Sequence, residues 1–252
     1  MYDLACHSDC KWVFDSFPKY HGQLHFSGSA FSETLPTAGA YIVTKDAAGA
    51  LYPELSKNRT GGSILNPPVD SSLSIELHLN VPTIQNSRQV ICQKHNMESN
   101  QGFCLYLAPT TITSSVEVGF SVYSGSHSLT VPTIIEKGQF HQLCVVLNRE
   151  SGTHYLEFFK NAESTAVSKS AYTFGALDID ESDFLIASGT SFTLGTSTVT
   201  PSQTLSGTID EFKVFHSARS AEQQRKSLTR SMFAQPDMKL YYRFNEPGPP
   251  LA

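Results

Sequence analysis

Apolar and polar residues alternate without a break over residues 73–79, Leu-Ser-Ile-Glu-Leu-His-Leu. That is the period of a strand with one buried face. Pro82 ends the run. Residues 89–94 and 102–107 are two further strand patterns joined by the polar stretch 95–101, and they read as a hairpin. Residues 116–123 alternate again and turn through Ser124-Gly125-Ser126 into 128–131. Residues 140–147 are almost continuously apolar, as a central strand covered on both faces would be. Strand patterns at 153–159, 183–187 and 208–215 complete the series, and 41–43 gives a shorter cue upstream. One helix is expected at 221–228. Ser220 and Gln223 have the spacing of a capping box, and Pro236 closes the segment.

Short strands at this spacing, with turn residues between them, predict an all-β fold. The expected architecture is a two-sheet antiparallel β-sandwich of jelly-roll type with one short C-terminal helix. A chain of 252 residues suits one such domain over 1–252. Residues 27–62 are rich in Gly, Ala, Ser, Thr and Pro and read as an irregular insertion or extra strands. Residues 247–252 read as a linker, so the segment is expected to belong to a longer, multidomain chain.

Composition narrows the partners. Charged residues are 16% of the chain and the net charge is −5, with no basic patch beyond the short run Arg225-Lys226 to Arg230. That run suits a solvated helix face, and nucleic acid is not an expected partner. No stretch of 18 apolar residues exists, so this segment is not expected to insert in a membrane. Asp3, His7, Asp9, Lys11 and Asp15 exclude a signal-peptide core from its first residues.

Five cysteines are too few for a disulfide scaffold. Cys6 and Cys10 with His7 lack the second pair that a zinc site needs. If the 89–107 hairpin pairs regularly, Cys92 and Cys104 stand on adjacent strands, and a disulfide between them is expected. Cys6–Cys10 is the second candidate bridge, and Cys144 reads as a buried free thiol. Asn58-Arg59-Thr60 is an N-glycosylation sequon, meaningful in a secreted protein.

Catalytic groups are not evident. Glu76 has His78 two residues on, where a paired carboxylate would be needed, and no Gly-x-Ser-x-Gly elbow occurs. Asp210 and Glu211 are adjacent, so a regular strand would point them to opposite faces, with Asp210 bonding a neighbouring loop. Asp178, Asp180, Glu181 and Asp183 read as a solvated loop, and His141 as a structural residue of its strand. Tyr106, Tyr123 and Tyr155 read as core or cross-strand residues.

The order of motifs resembles that of laminin G-like, concanavalin A-like jelly rolls. Residues 72–79 are similar to the family's "sxfTIefWv" strand, and the 89–107 hairpin to its "vifsKg…gfgLyl" pair. Gly138-Gln-Phe140-His141-Gln-Leu143 resembles "G-x-W-H-h-l", and Leu156-Glu-Phe158-Phe-Lys-Asn161 resembles "lyvNG", with Ala162 in place of the glycine. The most specific likeness is Gly207-Thr-Ile209-Asp210-Glu211-Phe212 through Ala218-Arg219-Ser220, against "G-x-I-D-E-f-r-i-y-n-r-a-L-s", with Arg219 where leucine is common. Residues 240–246 look like a strand that opens a following repeat. Residues 63–246 carry the resemblance well and 3–28 loosely.

The resemblance implies a non-enzymatic recognition or adhesion module, extracellular or at the cell surface, binding a glycan or a protein. A structural spacer between neighbouring domains and, more remotely, a jelly-roll glycosidase are the alternatives. It also implies a rim site for calcium, the one cofactor to consider. Its expected acidic loop, residues 188–197, holds no acid here, which leaves Glu98, Asn100 and Asp210 as candidate ligands.

Overall fold

The computed structural model describes residues 23–27, 42–44, 65–67, 71–84, 87–96, 99–150, 152–173, 184–187, 192–194, 197–199, 204–228, 232 and 235–244. In chain order the strands are β1 (Leu24–Ser27), β2 (Ile42–Thr44), β3 (Leu73–Asn80), β4 (Gln89–Asn96), β5 (Gln101–Pro109), β6 (Ser115–Ser124), β7 (His127–Glu136) and β8 (Phe140–Asn148). Next come β9 (His154–Lys160), β10 (Ser168–Tyr172), β11 (Phe184–Ile186), β12 (Phe192–Leu194), β13 (Ser197–Val199) and β14 (Ser206–Phe215). The helix α1 (Ala221–Ser227) and β15 (Met238–Tyr242) follow.

Two antiparallel sheets form the body. One has the order β1-β14-β3-β8-β9-β10, with β15 also paired to β14. The other has the order β2-β11-β4-β5-β6-β7, and β12 and β13 form a separate hairpin. The all-β sandwich is therefore observed, with one short helix among the described residues. The alternation read in the sequence explains it: Leu73, Ile75, Leu77 and Leu79 face Phe103, Leu105, Leu107, Val116, Val118 and Phe120 in one shared core. Ser74, Glu76 and His78 lie on the other face of β3, where their pairing partners are Val146, Cys144 and Gln142. Phe103, Phe120, Phe184 and Phe212 form a line of tilted rings through the core, with centroids 5.9–6.1 Å apart.

Three expectations are corrected. Cys92 and Cys104 are free thiols. A bulge between Val90 and Cys92 shifts the hairpin by one residue, so Cys92 pairs with Leu105 and Cys104 with Gln93. A one-residue slip sends the two sulfurs to opposite faces. Cys92 lies in the main core, whereas Cys104 lies with Tyr106 and Tyr123 in a cluster on the far face. The strand read at 240–246 belongs to this domain's own sheet, as β15 (Met238–Tyr242) pairs with β14. The strand pattern at 128–131 stops too early, because β7 runs on through Pro132 to Glu136. It is an edge strand, where proline's missing N–H costs no ladder bond. Cys6, Cys10, Asn58 and Glu98 lie outside the described residues.

The thiols give a direct check. Cys92, Cys104 and Cys144 are fully buried, and burial raises each thiol above its ordinary range. Alkylation of the native protein, read by mass spectrometry, is expected to leave all three unmodified, and urea is expected to expose them. Recovery of a Cys92–Cys104 peptide pair would refute this pairing.

Candidate functional site

A bulge builds the site. β14 has two partners along one edge, β1 over Ser206–Ile209 and β15 from Phe212 onward. Its register with β3 breaks between Asp210 and Lys213, so that Asp210 faces His78 and Lys213 faces Glu76. Glu211 takes the left-handed conformation there, at φ 51°. Such a bulge re-aims side chains. Glu211 therefore joins Lys213 on the outer face, with a 3.0 Å ion pair, and accepts a hydrogen bond from the Tyr241 hydroxyl. The expectation that Asp210 and Glu211 would diverge, as in a regular strand, fails for this reason. Nor does Asp210 bond a neighbouring loop: its Oδ1 accepts the N–H of Glu211 at 2.8 Å.

Below the bulge the outer face of the sheet carries a shallow recess. Glu76, His78, Gln142, Glu211, Lys213 and Ser227 line it with polar groups. Most are already committed. Glu76 accepts from Arg219 Nε at 2.9 Å and from Ser227 Oγ at 3.0 Å. Helix α1 holds Ser227 there, started by the capping box that Ser220 and Gln223 form.

Gln142 is different. Its main chain and its Oε1 clamp the turn after β9, bonding Asn161 and Ala162. Both turn residues are left-handed, at φ 53° and 50°, as a type I′ turn requires. Ala162 thus occupies a conformation that favours glycine. The clamp fixes the Gln142 side chain, which is 6% exposed. Its Nε2 makes no hydrogen bond among the described residues, and Gln142 borders the recess.

Gln142, His78 and Asp210 stand in one row across β8, β3 and β14. At the usual strand spacing the row spans about 9–10 Å. It offers an amide donor at one end and a carboxylate acceptor at the other. Phe140 stands two residues before Gln142 on the same face, with 45% of its surface exposed. The row of Phe140 runs through Asn80 to Thr208 and His25, where His25 Nδ1 and Thr208 Oγ1 are 3.1 Å apart.

Burial raises the Asp210 carboxyl to about 6, helped by the charge of Glu211 and opposed by the Glu211 N–H bond, Lys213 and Arg243. The folded state then prefers the protonated form. Stability is complete below the unfolded value near 3.8 and is lost as pH rises towards 6. Asp210→Asn keeps the acceptor for the Glu211 N–H. It is expected to raise the melting temperature at pH 7.5, with the gain vanishing by pH 4. A gain that grows on acidification would contradict this sign.

The outer face of the other sheet is already filled. The Tyr106 ring crosses Gly119, where a Cβ would lie 2.4 Å from Cζ. Arg88 stands 5.5 Å from the ring centroid of Tyr106. His95 packs edge-on to Tyr123 at 5.3 Å. Tyr106 and Tyr123 are both buried, in keeping with the structural role read from the sequence. Tyr155 sits on the seven-stranded sheet under Lys169, whose Nζ is 3.8 Å from the ring centroid.

Of the calcium candidates, Asn100 and Asp210 are not brought together. Asn100 sits at the start of β5, bonded to His95 Nε2 and to the Gly125 carbonyl, whereas Asp210 lies in the other sheet. Among the described residues no group of three or more His, Cys, Asp or Glu could hold a metal. Sequence reading missed Gln142, because nothing in a run of strand residues marks which amide will clamp a distant turn.

The family described as the concanavalin A-like lectin/glucanases superfamily, of laminin G type, matches residues 60–223. No curated protein sequence matches the chain. Solved structures do. The CBM40 module of the Ruminococcus gnavus IT-sialidase, bound to α2,3-sialyllactose, is 14% identical over 82% of this chain and 96% of that one, with TM-score 0.51. A Bacteroides ovatus structure provisionally assigned to carbohydrate binding is 16% identical over 88% of this chain, with TM-score 0.53. The chain spans only 52% of that structure. The botulinum neurotoxin serotype C1 binding domain is 8% identical over 83% of this chain and 46% of that one, with TM-score 0.51. At such identities the shared property is the fold.

Proposed function

Because the chain belongs to the concanavalin A-like lectin/glucanases superfamily, we propose that it is a non-catalytic module that recognises a glycan at the outer face of its seven-stranded sheet. The observation that carries this reading is the row of Gln142, His78 and Asp210 beside the exposed Phe140 ring. Sugar hydroxyls both donate and accept, and the row presents both complements at fixed positions. An exposed aromatic ring gives the apolar face of a pyranose a surface to stack on. The fold family's resemblance to extracellular modules supports an extracellular or cell-surface setting. No helix among the described residues is long and apolar enough to cross a membrane.

A binding role fits the acids better than hydrolysis does. Retaining glycosidases need two opposed carboxyls about 5–5.5 Å apart. Here Glu76 is bonded through both oxygens, and Glu211 is held by Lys213 and Tyr241. Asp210 remains as a single open carboxylate, which is an acceptor for hydroxyls.

A glycan array probed with the isolated chain tests the reading, followed by calorimetry on the hits. Gln142→Glu retains the Oε that clamps Ala162 but removes the donor, and is expected to weaken binding about tenfold, equivalent to about 1.4 kcal/mol. Phe140→Ala is expected to weaken it by a similar factor with little change in melting temperature, since the ring is half exposed. Array hits whose affinity neither variant changes would place the ligand elsewhere.

A further inference from the structure

Taking the Gln142–His78–Asp210 row on the seven-stranded sheet as the ligand site, as proposed above, we infer that it selects uncharged, hydroxyl-rich sugars and rejects those bearing carboxylate, sulfate or phosphate groups. The inference rests on how the charges are spent. Arg219 is consumed by Glu76 at 2.9 Å, with both side chains 3% exposed. Lys213 is consumed by Glu211 at 3.0 Å and lies 2% exposed under the Tyr241 ring, 5.1 Å from its centroid. Neither cation can turn towards an anionic ligand without abandoning a buried carboxylate. Such a loss is severe, because it leaves a charge buried and unpaired.

Asp210 is in the opposite position. Its one bond is the Glu211 N–H on Oδ1, which leaves Oδ2 as an acceptor on the row. The groups facing it are His78 from β3, Glu211 and Lys213 from its own strand, and Arg243 beyond β15. Of the two cations, Lys213 is paired with Glu211, and Arg243 lies past Tyr242, the last paired residue of β15. A ligand seated between Gln142 and Asp210 therefore meets a carboxylate that forms no ion pair among the described residues. It can satisfy that oxygen with hydroxyl donors, whereas an acidic group would meet like charge in a partly desolvated site. At the other end, the Gln142 Nε2 donates to a ring or hydroxyl oxygen and carries no charge to reward an anion.

The test is an array of matched neutral, sialylated and sulfated glycans, probed at pH 7.5 with the wild type and with Asp210→Asn. The expected result is binding confined to neutral members, each at least tenfold tighter than its acidic counterpart. In Asp210→Asn that ratio is expected to fall to within about threefold, with the fold checked by thermal melting. Acidic glycans binding as well as or better than their neutral counterparts would overturn the selectivity while leaving the recognition reading in place. An unchanged ratio in Asp210→Asn would also overturn it, since the discrimination would then come from another group. Silence across the whole array would instead overturn the glycan reading, and this inference with it.

Discussion

Glu76→Ala is expected to destabilise the fold by about 3–5 kcal/mol, because it removes one half of a buried ion pair. Glu76 and Arg219 are each 3% exposed and meet at 2.9 Å. The guanidinium also stands 4.3 Å from the Phe215 ring centroid, and the Arg219 main chain is tied to Ser74 Oγ at 3.0 Å. Without Glu76 the cation stays in place, desolvated and unpaired, and Ser227 loses one of its two acceptors, keeping the Gln224 carbonyl. At about 2–4 °C per kcal/mol for a domain of this size, the melting temperature should fall by roughly 10 °C. Arg219→Leu restores the residue common in the family, yet it is expected to cost nearly as much, since it strands Glu76 instead. The double variant Glu76→Met with Arg219→Leu removes both charges and fills the space. It is expected to return within about 1 kcal/mol of the wild type. Urea titrations at pH 7 of the wild type, Glu76→Met, Arg219→Leu and the double variant measure the coupling directly. Single variants within 0.5 kcal/mol of the wild type would show that the pair does not hold helix α1 to the sheet.

That pair also shows where the sequence was legible. The alternation of residues 73–79 fixed both the strand and its faces, since a period of two leaves no other assignment. The departure at Arg219 was visible as a departure, but its partner lies 143 residues away. No local pattern pairs them. The same limit governed the site. Asp210 stood out in its motif, yet its relation to Glu211 depends on a bulge, and the sequence spacing alone predicts divergence. The hairpin holding Cys92 and Cys104 failed for the same cause, a one-residue slip after Val90. Propensity reads elements well, but registers are set by what packs on each face. β1 and β10 went unread because each is short and sits at or near a sheet edge, where half-exposed residues blur the alternation.

Phe184→Ala is expected to have an effect as large, about 3–5 kcal/mol, by a different route. Phe184 opens the three-residue strand β11, which joins β2 to β4. Its ring lies 5.9 Å from both Phe103 and Phe212, so it bridges the two sheets at the centre of the core. Truncation removes the bridging ring and leaves a cavity lined by side chains that are themselves fully buried. A short strand has few ladder bonds with which to hold its place, so β11 depends on this contact more than a long strand would. Phe184→Leu keeps most of the volume and is expected to cost less than half as much. Hydrogen exchange then separates the two effects. In Phe184→Ala the amide of Ala187, which bonds the Ile91 carbonyl at 2.8 Å, should lose protection before amides in β5 and β6 do. Uniform loss across all strands would mean that the ring stabilises the sandwich as a whole and has no special role in docking β11.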